Sequence, residues 1–226
     1  VIVELQRQLR RRRTVFGLLG IAAVPVLLAI AFVLSGDGGN GGDGGGGGGG
    51  DPTGLFDLAT ASGLNFALMS TAATAPFLLL AVVALFTGDT VSSEAGWGSL
   101  RYLLTRPVPR SRLLARKFAV GVLLSVVAAL LVPLSGLIAG TLAFGWGDVQ
   151  TPFGMLSAGP ALGRLLAIVA YLAWSSAWVA GIAFAWSTVT DAPVGAVAGT
   201  IVLVIVVQLL DAITSLGVLR TYLPVH

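Results

Sequence analysis

The chain has 226 residues, of which 56% are hydrophobic and 10% charged, with a formal net charge of +3 and a mean hydropathy of +0.94. A soluble globular domain carries about 45–50% apolar and about 25% charged residues, so the composition excludes one and points to an all-α, polytopic membrane protein. The absence of cysteine excludes a disulfide framework, a thiolate metal site and a thiol nucleophile.

In residues 1–14, Ile2, Val3, Leu5 and Leu9 alternate with Glu4, Gln6, Arg7, Gln8 and Arg10, the pattern of a basic amphipathic helix lying on a membrane surface. The arginine run and the apolar stretch behind it look superficially like a signal peptide. The stretch runs over residues 15–34, however, longer than an h-region of about 7–15, and no A-x-A site follows Leu34. A retained first span is therefore expected. Further spans are expected at 64–86, 118–142, 165–186 and 194–210, each near the length of about 20 residues that crosses ~30 Å of hydrocarbon. The whole chain, 1–226, reads as a single transmembrane domain.

Between the first two spans lies a glycine-rich loop, 35–54, SGDGGNGGDGGGGGGGDPTG, which cannot offset its ordering entropy with apolar burial and is expected to be a flexible coil. Its GGDGG pieces lack the aliphatic position of calcium-binding repeats, and no G-x-x-x-x-G-K-[ST] phosphate loop occurs in the chain. Charge placement sets the orientation. With the N-terminus inside, eleven of the thirteen basic residues are cytoplasmic, and only Arg164 and Arg220 are outside. The basic residues are thus placed to orient helices and to meet anionic membrane lipid, not nucleic acid.

The segment between the second and third spans, residues 88–117, holds six of the thirteen basic residues, and it exceeds the about 2–8 residues that a simple helix connection needs. After a turn at Asp89, the residues Trp97, Leu100, Leu103 and Leu104 share one stripe of a helix that Pro107 ends, with Glu94 in its first turn. Arg110 to Lys117 form a basic ramp into the third span. The stripe suits either the membrane surface or a groove on a cytoplasmic partner.

Within the spans, Pro25, Pro76 and Pro133 loosen three helices. Gly136-x3-Gly140 and Gly195-x3-Gly199 permit close helix approach, within a subunit or between two. Tyr171, Trp174 and Trp178 share a face of the fourth span and form a candidate substrate wall, with ordinary packing as the plainer reading. Gln208 and Asp211, one turn apart on the fifth, are further candidates for a substrate path. No catalytic constellation or metal site emerges: the sole histidine is His226, there is no H-E-x-x-H, and Gly96-Trp97-Gly98-Ser99 lacks a histidine partner.

The order Asp89, Glu94, Gly98-Ser99-Leu100, Leu103-Leu104, Thr105, Pro107-Val108, Arg110, Leu114 and Lys117 resembles the cytoplasmic signature of type-2 ABC (ATP-binding cassette) transporter permeases. That resemblance implies an exporter subunit that binds no cofactor itself and docks on two cytoplasmic ATPase subunits, which carry ATP and Mg2+. It also implies a second permease subunit, identical or homologous, in a bacterial plasma membrane. Glu94, Trp97, Gly98, Leu100, Leu103, Leu104, Pro107, Arg110 and Lys117 would then make up the coupling region. An amphipathic or hydrophobic drug, lipid, peptide or glycoconjugate would be the substrate. Members of the family have six spans, so a sixth is expected beyond the given C-terminus. The alternative is a membrane anchor or sensor that recruits a cytoplasmic partner through residues 89–117 without transporting anything.

Overall fold

The computed structural model describes residues 6, 8–35, 55–96, 110–151, 154–190 and 192–212. The glycine-rich tract from residue 36, residues 97–109 of the insert and most of the segment before Gln8 lie outside the described residues. Among the described residues the elements are α1 (Arg12–Ser35), α2 (Leu55–Thr60), α3 (Gly63–Thr74), a π-helical turn (Ala75–Leu79), α4 (Leu80–Gly96), α5 (Arg110–Phe144), a hairpin of β1 (Val149–Thr151) and β2 (Gly154–Leu156), α6 (Ala158–Val189) and α7 (Pro193–Ala212). Five helical stretches are long and apolar enough to cross a membrane: Arg12–Ser35, Gly63–Ser93, Ser111–Phe144, Ala158–Val189 and Pro193–Leu210. Hydrocarbon offers no partner for backbone N–H and C=O groups, so helices that satisfy them internally are what such sequences adopt.

The helix ends have identifiable causes. Ser62 caps α3 by accepting the Asn65 N–H at 3.2 Å. Gly145, at φ +77°, stops α5, and its N–H reaches the Thr141 carbonyl at 3.1 Å. Asp148 Oδ1 accepts the first amide of α6, from Ala158, at 2.9 Å. Pro193 opens α7, where a missing N–H costs nothing. Pro25 and Pro133 lie inside α1 and α5, whereas Pro76 sits in the π turn, which accommodates the lost ladder bond.

Two compact units are distinguishable. One comprises Leu19–Pro76 and Leu130–Ala170. Its core gathers Ala29, Phe66 and Ala139 with Leu28, Phe32 and Phe144, Phe66 meeting the Phe32 ring edge-on at 6.3 Å and 87°. A second cluster joins Leu64, Val149 and Ala161. Backbones approach closely along the glycine pair of α5: a Cβ at Gly136 would lie 2.4 Å from Ser70 Oγ, and one at Gly140 2.8 Å from the Gly63 carbonyl. This glycine motif is therefore filled from within the chain, by α3. Asn65 ties the hairpin to the same place. Its Nδ2 donates to the carbonyls of Leu58 at 2.7 Å and Gln150 at 2.8 Å, and its Oδ1 accepts the Gln150 N–H at 3.0 Å. The hairpin pairs Val149 with Leu156, Gln150 with Met155 and Thr151 with Gly154.

The other unit comprises Val1–Leu18, Phe77–Ala129 and Tyr171–His226. Here α4 packs along α7, with Gly88 admitting the backbone of Val197: a Cβ on that glycine would lie 3.4 Å from the Val197 nitrogen. Phe118 of α5 and Phe184 of α6 meet at a tilt of 55° with centroids 5.2 Å apart.

Candidate functional site

The sequence signature begins at Asp89, and there the structure corrects the expectation. No turn occurs at Asp89. The helix runs on to Gly96, so Glu94 lies in the last turn of α4 and not in the first turn of a separate helix. The basic ramp is likewise helical, since Arg110 is the first residue of α5 and Lys117 lies two turns in.

The polar run Gly88-Asp89-Thr90-Val91-Ser92-Ser93 stays helical because each polar group finds a partner. Thr87, Thr90, Ser92 and Ser93 are all buried. Their hydroxyls donate back to the carbonyls of Val83 (2.8 Å), Thr87 (2.7 Å), Gly88 (2.8 Å) and Asp89, the local back-bonding open to serine and threonine inside helices. Asp89 is held from the N-terminal segment. Arg13 Nη1 donates to Oδ1 at 3.0 Å and Arg11 Nη1 to Oδ2 at 3.5 Å, around a carboxylate whose side chain is only 9% exposed. Gln8, Thr14, Leu85 and Phe86 complete the surroundings of this pair. A buried carboxylate needs such partners to remain charged.

Two further contacts brace the same turns. Lys117 is buried, and its ammonium donates to the Thr90 carbonyl at 3.2 Å. This bond pins together the two ends of the insert. From α6, the Ser187 hydroxyl accepts the N–H groups of both Val91 (3.1 Å) and Ser92 (3.0 Å). The N-terminal segment, α5 and α6 thus converge on four successive residues of α4, Asp89, Thr90, Val91 and Ser92.

The remaining expected site residues divide as follows. Glu94, Arg110 and Lys117 flank the insert on helical backbone. Trp97, Gly98, Leu100, Leu103, Leu104 and Pro107 lie outside the described residues. Tyr171, Trp174 and Trp178 are all exposed on one face of α6, where Trp174 and Trp178 line a shallow apolar groove of about 410 Å3 with Ala177, Gly181, Ile182 and Ala185. Gln208 is half-buried on α7, and Asp211 follows it on the same helix.

Arg11, Arg13 and Ser187 are the residues that sequence reasoning missed as members of the site. A signal existed for the arginines. An acidic residue at the end of a span, on the same membrane side as an N-terminal basic cluster, invites pairing. For Ser187 there was no local signal, because its partners are backbone amides 95 and 96 residues away.

A model of the family described as "ABC-2 family transporter protein" matches residues 2–207. No curated protein and no solved structure matches the chain at a significant level.

Proposed function

Given that the chain belongs to the ABC-2 family of transporter proteins, a membrane permease family associated with ABC ATPase partners, we propose that it is the permease subunit of an ATP-driven exporter. Two cytoplasmic ATPase subunits, which hold ATP and Mg2+, dock on the region from Asp89 to Lys117, and a second permease subunit completes the route. The N-terminus is cytoplasmic in the plasma membrane. The exported substrate is amphipathic or hydrophobic, and the exposed aromatics Tyr171, Trp174 and Trp178 are its first candidate contacts, with Gln208 and Asp211 as further ones.

The observation that carries this reading is the family match across residues 2–207, which includes the whole insert. The bracing of α4 supports it. A partner that pushes on an insert moves both of its flanking helices only if the insert's ends are tied to each other, and Lys117 and Thr90 hold those ends together. Glu94 at the end of α4 and Arg110 at the start of α5 stand where the insert leaves and re-enters. Trp97, Leu100, Leu103 and Leu104 are the proposed docking stripe between them, with Gly98 and Pro107 as the other members of the coupling region.

Affinity purification of the chain in mild detergent tests the proposal. An ATP-binding cassette subunit at one-to-one stoichiometry is expected, and it is expected to disappear with Glu94→Lys plus Leu104→Asp while the chain still inserts. Normal co-purification of that double variant would refute the docking role. Recovery with an unrelated cytoplasmic protein would favour a membrane anchor instead.

A further inference from the structure

In a regular helix the N–H groups of Val91 and Ser92 face the carbonyls of Thr87 and Gly88, four residues back. In α4 both ends of these two successive rungs have a second partner. Thr90 Oγ1 donates to the Thr87 carbonyl and Ser92 Oγ to the Gly88 carbonyl. The two N–H groups both point at Ser187 Oγ. Two rungs further along, the Thr90 carbonyl takes Lys117. Opening a helix in a low-dielectric setting ordinarily strands polar groups at several kcal/mol apiece. Here the replacement partners are already in place, so these rungs can lengthen without stranding anything.

From this we infer that residues 87–92 are a hinge in α4 and that Ser187 is its positioning residue. A displacement of α6 pulls on two adjacent amides of α4 and reorients residues 93–96, which lead into the insert. The same path runs backward when the insert is pushed. A hydroxyl suits this role because its oxygen accepts two hydrogen bonds while its own proton is donated to Ser92 Oγ, at 3.4 Å, on the same turn of α4. Ser187 is buried, so water does not compete for it. The link to transport rests on the permease reading above, while the hinge itself does not.

Amide hydrogen exchange on the full chain in lipid nanodiscs tests the hinge without any partner. With Ser187→Ala, exchange at Val91 and Ser92 is expected to rise about tenfold, as losing a buried hydrogen bond predicts. Ser187→Thr, which keeps the hydroxyl, is expected to stay within about twofold of the parent. Residues 63–74 are expected not to change. Unchanged exchange at Val91 and Ser92, or a rise spread equally over 63–96, would overturn the assignment. If Ser187→Ala does not accumulate, the near-isosteric pair Ser187→Thr and Ser187→Val isolates the hydroxyl, and equal exchange in those two overturns it as well. In the co-purified complex, addition of ATP and Mg2+ is expected to alter exchange at 91–96 in the parent and in Ser187→Thr but not in Ser187→Ala. Persistence of that response in Ser187→Ala would remove Ser187 from the path. Failure to recover an ATPase subunit at all would count against the permease reading and leave the nanodisc result standing.

Discussion

The paired arginines on Asp89 make a graded forecast possible. The carboxylate is 9% exposed, Arg11 20% and Arg13 59%, so the anion is the most deeply placed charge of the three. Removing both arginines leaves it buried and uncompensated, a situation that costs about 3–5 kcal/mol. Asp89→Asn leaves two cations instead. Arg13 is exposed enough to be hydrated, so the loss is smaller, about 1–2 kcal/mol. The triple variant, Arg11→Ala, Arg13→Ala and Asp89→Asn, has no stranded charge and should recover most of the loss. In a protein of roughly this size each kcal/mol moves the unfolding midpoint by about 2–4 °C. The arginine double variant should therefore melt roughly 6–20 °C below the parent and Asp89→Asn about 2–8 °C below it. Thermal unfolding in detergent, followed by fluorescence of the five tryptophans, gives the comparison directly. A triple variant no more stable than the arginine double variant would refute the argument, because burial of the lone carboxylate would then not be the cause.

Three other outcomes are expected. Gly63→Ala should lower stability by about 1–3 kcal/mol or more, since its Cβ would lie 2.7 Å from the Thr141 nitrogen, a backbone atom that cannot step aside, whereas Gly181→Ala meets nothing within 4 Å and should gain about 0.5–1 kcal/mol from helix propensity; the same melting assay reads both. Asn65→Ala removes three hydrogen bonds that hold β1 and the end of α2, and it should speed protease cleavage within 149–156 while leaving the Asp89 end of the molecule unaltered. Deleting Gly44–Gly50 should leave transport, measured in vesicles of the reconstituted complex, close to the parent rate.

The five spans were legible because length and apolarity are summed over many residues, and the Gly136-x3-Gly140 contact was legible because close approach demands small side chains at that spacing. The end of the second span was not. Gly88 and Asp89 carry the local marks of a turn, and the serines and threonines after them look like a loop leaving the membrane. Their helicity depends on atoms distant in sequence: guanidinium groups 76 and 78 residues earlier, an ammonium 27 residues later and the Val197 backbone against Gly88. The hairpin escaped notice for a different reason. Strands of three residues are too short for alternation to register, and what fixes them is an asparagine at the start of another helix.

The π turn at Ala75–Leu79 gives the second span something like a reading frame. Before it the buried positions run Ala67, Thr71, Thr74; after it they run Leu79, Val83, Phe86, Thr90, with five residues instead of three or four across the turn. One residue is in excess, and each residue of a helix turns the next by about 100°. Excision of a single residue from Ala75–Leu79 would restore an unbroken α-helix and keep the buried stripe in phase, whereas the same excision from residues 80–86 would rotate everything beyond it by about 100°, carrying Asp89 away from its arginines and the Val91 and Ser92 amides away from Ser187. The span thus absorbs a change of length by one inside the π turn far better than in the turns that follow it.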